Sequence, residues 1–171
     1  MAGDRRRLLV VVVSAAANAA KRRLIRRSWA PDLTASEGPF GASRAALVFL
    51  VGSASASASA AVADEGRRHG DVVQVAAQDD YARLTAKSVA LLRWSLRHCP
   101  GAHLVLKCDD DVYVNVRRLA DVVSRVPSLD SLLGSGVQGD RPQRHPGKSS
   151  IDNLKQTNNV TLTKRKRSRS E

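Results

Sequence analysis

The run Leu8-Leu9-Val10-Val11-Val12-Val13 predicts a central strand, because a short, continuous apolar stretch rich in β-branched residues has the length of a strand buried on both faces. Strands of this kind are typical of parallel sheets that helices cover on both sides. A second interpretation is open at this point: Met1 to Arg7 is basic, and Ala17-Asn18-Ala19 after the apolar run has the small-x-small pattern of a cleaved secretory signal peptide.

Helical and strand patterns alternate along the rest of the chain. The residues after the first strand, Ala15 to Trp29, predict a helix that we expect Pro31 to end. The further predicted elements are a strand at Ala45 to Val51, a Ser/Ala-rich loop from Ser53 to Ala61, a helix at Ala61 to His69, a strand at Val72 to Val75, a helix at Asp80 to His98, a strand at Leu104 to Leu106 and a helix at Val116 to Val126. This alternation predicts an α/β domain with a mostly parallel sheet and with ligands at the carboxyl ends of its strands.

The composition narrows the class of protein further. The length of 171 residues suits one domain, and no apolar run approaches the roughly 18 residues that a membrane-spanning helix needs. The net charge of +12 comes from basic clusters at the two ends, and aromatic residues make up only 4% of the chain. Because base stacking needs aromatic side chains, these features argue against nucleic acid as the partner. We divide the chain into a basic segment (1–7), an α/β domain (8–130) and a poorly ordered, basic tail (131–171).

Three consecutive aspartates, Asp109-Asp110-Asp111, follow the strand predicted at Leu104 to Leu106; we call them the acidic triplet. On an extended chain Asp109 and Asp111 point to one side and Asp110 to the other. A hard divalent cation could be held by one or two of these carboxylates, with a diphosphate completing its coordination shell. The alternative is a solvated acidic turn without a ligand.

Five segments in a fixed order bear on this choice. They are Leu8 to Ala15, Ile25-Arg26-Arg27-Ser28-Trp29, Val48 to Gly52, Gly70-Asp71-Val72-Val73-Gln74 with Asp79 to Lys87, and Trp94 to Asn115, which includes His98-Cys99-Pro100 and Leu106-Lys107-Cys108-Asp109-Asp110-Asp111-Val112-Tyr113-Val114-Asn115. In this order and at these separations they resemble the β-1,3-galactosyltransferase family, glycosyltransferase family 31. The likeness extends over roughly Leu8 to Ser149, and it favours the strand interpretation of Leu8 to Ala15 over the signal peptide.

The resemblance implies a fold, a reaction and a site. It implies a GT-A-like, Rossmann-like α/β fold that is incomplete at its C-terminal end, and transfer of galactose from UDP-galactose, or of another hexose from its UDP-sugar, with inversion. The acceptor would be a hydroxyl of a glycan, glycoprotein or glycolipid, and the cofactor Mn²⁺. By the same resemblance, Asp109 and Asp111 would bind the metal, and Asp109, Asp110, Lys87 and Arg26 would contact the nucleotide sugar.

Location and completeness are also expectations from the resemblance. The family layout implies the lumenal side of the Golgi membrane, with an anchor upstream of this sequence. Arg83 and Cys108 stand where the family usually has Asn and Thr. No Glu-Asp-Val segment, which carries the family's base, follows Asp111, so we assign no catalytic residue and expect a poorly active form. The competing hypothesis is a non-enzymatic protein that binds nucleic acid or anionic surfaces through Lys164 to Arg169.

Overall fold

A computed structural model describes residues 7–41, 44–78, 84–126, 132–134 and 161–163. The chain divides into two units, Met1–Arg125 and Val126–Glu171. The elements of the first unit are β1 (Leu8–Ser14), a 3₁₀ turn (Ala16–Asn18), α1 (Ala19–Arg27), α2 (Ala30–Thr34), β2 (Ala45–Ser53), α3 (Ala56–His69), β3 (Val72–Gln78), α4 (Leu84–His98), β4 (Leu104–Asp109) and α5 (Val116–Ser124).

The four strands of this unit form one sheet in the order β3-β2-β1-β4, and every neighbouring pair is parallel. The prediction of a parallel α/β sheet is therefore confirmed. The chain first moves outward from β1 to β2 and β3, and it then returns to place β4 on the other side of β1. The strand order thus changes direction between β1 and β4, and in open α/β sheets such a switch point is where ligands bind.

The central position of β1 follows from its apolar run, since all seven of its residues are buried. Leu8, Val10 and Val12 point into one core, and Leu9 and Val11 point into the other. The first core also contains Ile25, Trp29, Leu33, Phe40, Phe49, Val116 and Val123, and the second contains Val13, Leu50 and Leu91. Burial of each such side chain contributes about 1.5–3 kcal/mol, so β1 fixes the helices on both sides of the sheet. The strand predicted from this run is therefore confirmed.

Two helix boundaries differ from the sequence predictions. Pro31 does not end the first helix; it lies in the first turn of the short helix α2, where a backbone N–H has no helical acceptor and proline is tolerated. The Ser/Ala-rich stretch is helical from Ala56, not from Ala61. Ser55 caps this helix by accepting a hydrogen bond from the amide of Ala58, and alanine has the highest helix propensity, so little burial is needed.

The strands are longer than predicted at their carboxyl ends. β3 runs to Gln78 instead of Val75, and β4 runs to Asp109 instead of Leu106. The first residue of the acidic triplet is consequently part of the sheet and lies opposite Val13 of β1. The predicted helix start at Asp80 lies outside the described residues, and α4 is described from Leu84.

In the second unit the structure describes one antiparallel pair, β5 (Leu132–Gly134) and β6 (Thr161–Thr163). The weak order predicted for the rest of residues 131–171 lies outside the described residues, as does the basic segment before residue 7. Among the helices that the structure describes, none has both the length and the apolar character required to cross a bilayer.

Candidate functional site

The site lies where the carboxyl ends of β1 and β4 meet. Ser14 is the last residue of β1, Asp109 is the last residue of β4, and the two strands are paired directly up to this point. Asp110 and Asp111 follow in the turn after β4, and the 3₁₀ turn that follows β1 leads into α1. The strand pairing therefore brings the acidic triplet beside the start of α1, at the switch point of the sheet.

Asp110 is held by three donors from the other side of the switch point. Its carboxylate accepts hydrogen bonds from Ser14 Oγ at 2.8 Å, from Asn18 Nδ2 at 2.7 Å and from Lys21 Nζ at 2.9 Å. Burial raises the pKa of Asp110, but these hydrogen bonds outweigh it and the pKa is lowered overall, so the group is a carboxylate. Asp110 thus ties the end of β4 to β1 and α1, and its contact with a nucleotide sugar stays a prediction.

Asp109 and Asp111 differ from Asp110 in exposure. Their side chains are 65% and 69% exposed, against 7% for Asp110. Their ion pairs are long: Lys107 lies 4.0 Å from Asp109, and Lys21 lies 3.6 Å from Asp111. The two outer carboxylates of the triplet consequently keep oxygen atoms open to solvent at the switch point.

The chemistry of these two carboxylates fits a hard divalent cation, which prefers oxygen ligands. In the ranges that the structure describes, no group of three or more His, Cys, Asp or Glu side chains could hold a metal ion. The described residues therefore do not form an all-protein cage. A pair of carboxylates completed by phosphate and water oxygens matches the way Mg²⁺-like ions bind together with a phosphorylated substrate.

Lys87 reaches the same edge of the sheet from α4. Its Nζ donates a hydrogen bond to the carbonyl oxygen of Ser14 at 2.7 Å, and the residue is only 5% exposed. A buried ammonium at the end of β1 adds positive charge close to the triplet. The structure thus places Lys87 in the predicted region, while its contact with a nucleotide stays a prediction.

Arg26 has partners elsewhere in the unit. Its guanidinium donates two hydrogen bonds of 2.7 Å to Asp71 and one of 2.8 Å to Glu65, and it stacks 4.7 Å above the ring of Phe49. The side chain is 15% exposed. These contacts join Arg26 to α3 and to the residue before β3, not to the acidic triplet. The predicted nucleotide contact of Arg26 stays a prediction.

Sequence reasoning missed a buried salt bridge between α1 and α3. Arg22 is completely buried and donates to both carboxylate oxygens of Glu65, at 2.9 Å from Nε and at 2.6 Å from a terminal nitrogen. Burial raises the pKa of Glu65, but the hydrogen bonds from Arg22 and Arg26 outweigh it and lower the pKa to about 2. Together with Asp71, these residues form what we call the ion network.

One sequence signal could have found this pair. Glu65 follows Val62 by three residues, so both lie on one face of α3, and Val62 is the apolar residue that this face buries. A carboxylate on a buried helix face needs a cationic partner, which directs the search to the arginines of the neighbouring helix. The roles of Ser14, Asn18 and Lys21 had no such signal, because polar residues at a helix start are commonplace.

A cleft of about 830 Å³ lies between α2 with the residues after it and α5 with the residues before it. Its lining includes the acidic residues Asp32 and Glu37 on one side, and Tyr113 and Asn115 on the other. Tyr113 is 74% exposed and follows Asp111 by two residues. The cleft therefore adjoins the triplet in the chain and combines carboxylates with an exposed aromatic ring.

Comparison with known proteins covers most of these residues. A family model described as galactosyltransferase matches residues 20–162. A human β-1,3-galactosyltransferase 4 is 38% identical over 130 residues, which cover 72% of this chain and 32% of that protein. A mouse acetylgalactosaminyl-O-glycosyl-glycoprotein β-1,3-N-acetylglucosaminyltransferase is 35% identical over 137 residues, covering 74% of this chain and 33% of that protein.

A third relative, the human N-acetyllactosaminide β-1,3-N-acetylglucosaminyltransferase 4, is 38% identical over 101 residues, which cover 58% of this chain and 27% of that protein. The chain thus spans about a third or less of the length of these curated relatives. The matched region includes the acidic triplet, Lys87 and the ion network. These findings give no support to the hypothesis of a non-enzymatic basic interaction protein, and the chain belongs to the galactosyltransferase family.

Proposed function

We propose that this chain binds a UDP-hexose at the switch point of its sheet and acts, as a poorly active form, in β-1,3-glycosyl transfer, with UDP-galactose as donor and a glycan, glycoprotein or glycolipid hydroxyl as acceptor. The observation that carries the proposal is the pair of exposed carboxylates, Asp109 and Asp111, at the carboxyl end of β4. This position is where open α/β sheets bind their ligands, and the chain belongs to a family of glycosyltransferases.

Asp109 and Asp111 would hold Mn²⁺. When bound, the ion would neutralise negative charge on the diphosphate as the bond to the sugar breaks. The residues of the chain itself keep these two carboxylates in position. Asp110 is committed to its three donors and keeps the turn between the two ligands in place, so the outer carboxylates do not have to be ordered at the moment of binding.

Three lysines surround this pair and suit a diphosphate. Lys107 and Lys21 lie within 4.0 Å of Asp109 and Asp111, and Lys87 is fixed to the end of β1. The hydrogen bond with Asp110 and the charge of that carboxylate raise the pKa of Lys21, so its ammonium stays protonated at neutral pH. Cationic donors beside a phosphate strengthen its binding and offset the charge that leaves with UDP.

The cleft that Tyr113 lines supports the acceptor part of the proposal. Sugars present hydroxyl groups at their edges and apolar C–H faces, so they bind carboxylates and exposed aromatic rings together. Tyr113 and the acidic side chains of the cleft provide both kinds of contact close to the donor site in sequence. A lumenal Golgi location belongs to the same proposal, because glycan acceptors are modified there.

The donor sugar is the finer part of the proposal, since the relatives include galactosyl- and N-acetylglucosaminyltransferases. Thermal unfolding with Mn²⁺ and each of UDP, UDP-galactose, UDP-N-acetylglucosamine and UDP-glucose tests it. We expect UDP-galactose with Mn²⁺ to give the largest increase in melting temperature. Asp111→Ala should abolish the increase, whereas Asp64→Ala, which removes an exposed carboxylate on α3, should preserve it. An equal increase in wild type and Asp111→Ala would contradict the site, and a larger increase with another UDP-hexose would contradict the donor.

A further inference from the structure

We propose that Arg22 is a positioning residue: acting through the hydroxyl of Ser14, it holds the acidic triplet in the arrangement that binds metal. The inference rests on the proposed function in one respect, namely that Asp109 and Asp111 are the metal ligands. Arg22 itself contacts none of the three aspartates in the hydrogen bonds that the structure describes; its effect on them passes through Ser14 and the turn after β1.

The first step is that Arg22 is fixed. It is fully buried, and two of its nitrogens bind the two oxygens of Glu65, which is itself buried on α3. A charged pair taken out of water is maintained only when its geometry is good and its remaining donors are satisfied. The planar guanidinium presents its donors in a rigid fork, so anchoring one edge on Glu65 sets the direction of the other.

The hydrogen bond between Arg22 and Ser14 can run in one direction only. A terminal nitrogen of Arg22 lies 2.9 Å from Ser14 Oγ, and arginine can only donate. Ser14 must therefore accept from Arg22, which leaves its single hydroxyl proton for Asp110 Oδ2 at 2.8 Å; the other acceptor in reach, Ala15 O, is farther away at 3.4 Å. The buried guanidinium thus orients the serine hydroxyl as a donor to the middle residue of the triplet.

Arg22 also holds the turn after β1. The terminal nitrogens of Arg22 also donate to the carbonyl oxygens of Ala15, at 2.6 Å, and Ala16, at 3.3 Å. This turn carries Asn18, the second donor to Asp110. Two of the three donors to Asp110 consequently depend on Arg22, and the third, Lys21, has a side chain that is 44% exposed.

The last step links Asp110 to its neighbours. Asp110 lies between the two proposed ligands, so fixing its carboxylate at 2.7–2.9 Å from three donors limits the freedom of the backbone on both sides. Side chains that orient metal ligands without touching the metal typically change metal affinity 10- to 100-fold when they are removed. A purely structural role would instead lower stability and leave the affinity of the folded protein unchanged.

The variants are Ser14→Ala, Arg22→Met and the double variant. Ser14→Ala removes one oxygen atom and keeps the apolar packing of β1, so it tests the inference even if Arg22→Met fails to fold. Asp71→Asn is the control, because it weakens the partner of Arg26 in the ion network without touching Arg22. Calorimetric titration of Mn²⁺ into the UDP-saturated protein gives the affinity, and amide hydrogen exchange of residues 109–111 without metal gives the order of the triplet.

We expect Ser14→Ala and Arg22→Met each to weaken Mn²⁺ binding about 10-fold or more and to speed exchange at residues 109–111. The double variant should bind Mn²⁺ as tightly as Arg22→Met alone, because both changes remove the same connection from Arg22 through Ser14 to Asp110. Asp71→Asn should lower the melting temperature with wild-type affinity. Wild-type affinity and exchange in Ser14→Ala would overturn the positioning role, as would fully additive losses in the double variant. If the wild type bound no Mn²⁺, the proposed function would be overturned, and the metal-directed role of Arg22 with it. Amide exchange at residues 109–111 distinguishes this failure from a failure of the positioning role alone, because it reports the order of the triplet without metal.

Discussion

The acidic triplet and the ion network both concentrate charge, but they use it in opposite ways. In the ion network, Arg22 and Arg26 meet the carboxylates of Glu65 and Asp71 at 2.6–2.9 Å, with little of any side chain exposed. In the triplet, the outer two carboxylates are more than half exposed, and the ion pairs that the described residues form with them are long. Residue type therefore does not distinguish a ligand site from a structural one, whereas the partners and the exposure of each group do.

Asp110 repeats the same contrast within the triplet. It is chemically identical to its neighbours, yet it is nearly buried and bonded to three donors as a member of the ion network would be. We therefore expect substitutions in the ion network and at Asp110 to lower stability, with a loss of metal affinity as well where they free the triplet, and substitutions at Asp109 and Asp111 to lower ligand affinity alone.

The largest effect is expected from Glu65→Ala. Removing this carboxylate leaves the buried Arg22 without its counter-charge, which costs about 3–5 kcal/mol of unfolding free energy. Asp64→Ala on the same helix is the matched control, and it should change the free energy by about 0.5 kcal/mol or less because its pair with Arg67 is exposed. Urea unfolding measures both. A loss below 1 kcal/mol in Glu65→Ala would show that the ion network is not structural.

A second effect is a loss of stability in acid. Because the pKa of Glu65 is lowered from 4.5 to about 2, the unfolded chain takes up this proton first as the pH falls. The stability from Glu65 is fully present above about pH 4.5 and disappears as the pH falls through about 2, a change of up to about 3 kcal/mol. Urea unfolding at several pH values between 5 and 2, in wild type and Glu65→Gln, checks this. Parallel pH profiles for the two proteins would be evidence against the assignment.

A smaller stability effect is expected from Asp110→Ala, which removes the acceptor of three hydrogen bonds and should cost about 1–3 kcal/mol. Asp111→Ala is the matched change at the exposed neighbour, and it should stay within about 0.5 kcal/mol of wild type. Thermal and urea unfolding without metal compare the two. Equal losses of unfolding free energy in the two variants would contradict the distinction between the middle and the outer aspartates.

The smallest stability effect belongs to Tyr113→Ala. Its side chain is largely exposed, so the unfolding free energy should change by about 0.5 kcal/mol or less. Binding of a β-galactoside or an N-acetylgalactosamine glycan, followed by ligand-observed NMR, should nevertheless weaken several-fold when the ring is removed. Unchanged glycan binding in Tyr113→Ala would contradict the proposal that the cleft binds the acceptor.

The parts of the fold that depend on a local sequence pattern could be predicted from the sequence. A continuous apolar run predicts a central parallel strand, and β1 is that strand; the alternation of strands and helices predicts the parallel sheet. The alternating side-chain directions of an extended chain predict that Asp109 and Asp111 differ from Asp110, and in the structure the first two are exposed while Asp110 is nearly buried. The pattern failed where a weak local signal competes with burial, as in α3, whose serines and alanines have little area to bury but a strong tendency to form helix.

The partners of individual charges could not be predicted. Arg22 and Arg26 lie one helical turn apart and are equivalent in sequence, but one reaches Ser14 and the other stacks on Phe49. Which aspartate of three adjacent ones is buried depends on the turn after β4 and on the residues that β1 brings opposite it. The hydrogen bond from Arg22 to Glu65 spans 43 positions of the chain and the one from Ser14 to Asp110 spans 96, and local periodicity does not encode such contacts.

The central claim is that Asp109 and Asp111 bind a UDP-sugar together with a divalent cation. Calorimetric titration of UDP into the chain, with and without Mn²⁺, tests it most directly, with Asp111→Ala and Asp64→Ala measured beside wild type. We expect UDP binding that requires Mn²⁺, is abolished in Asp111→Ala and is unchanged in Asp64→Ala. UDP binding of equal strength with and without Mn²⁺, or equal binding by wild type and Asp111→Ala, would contradict it.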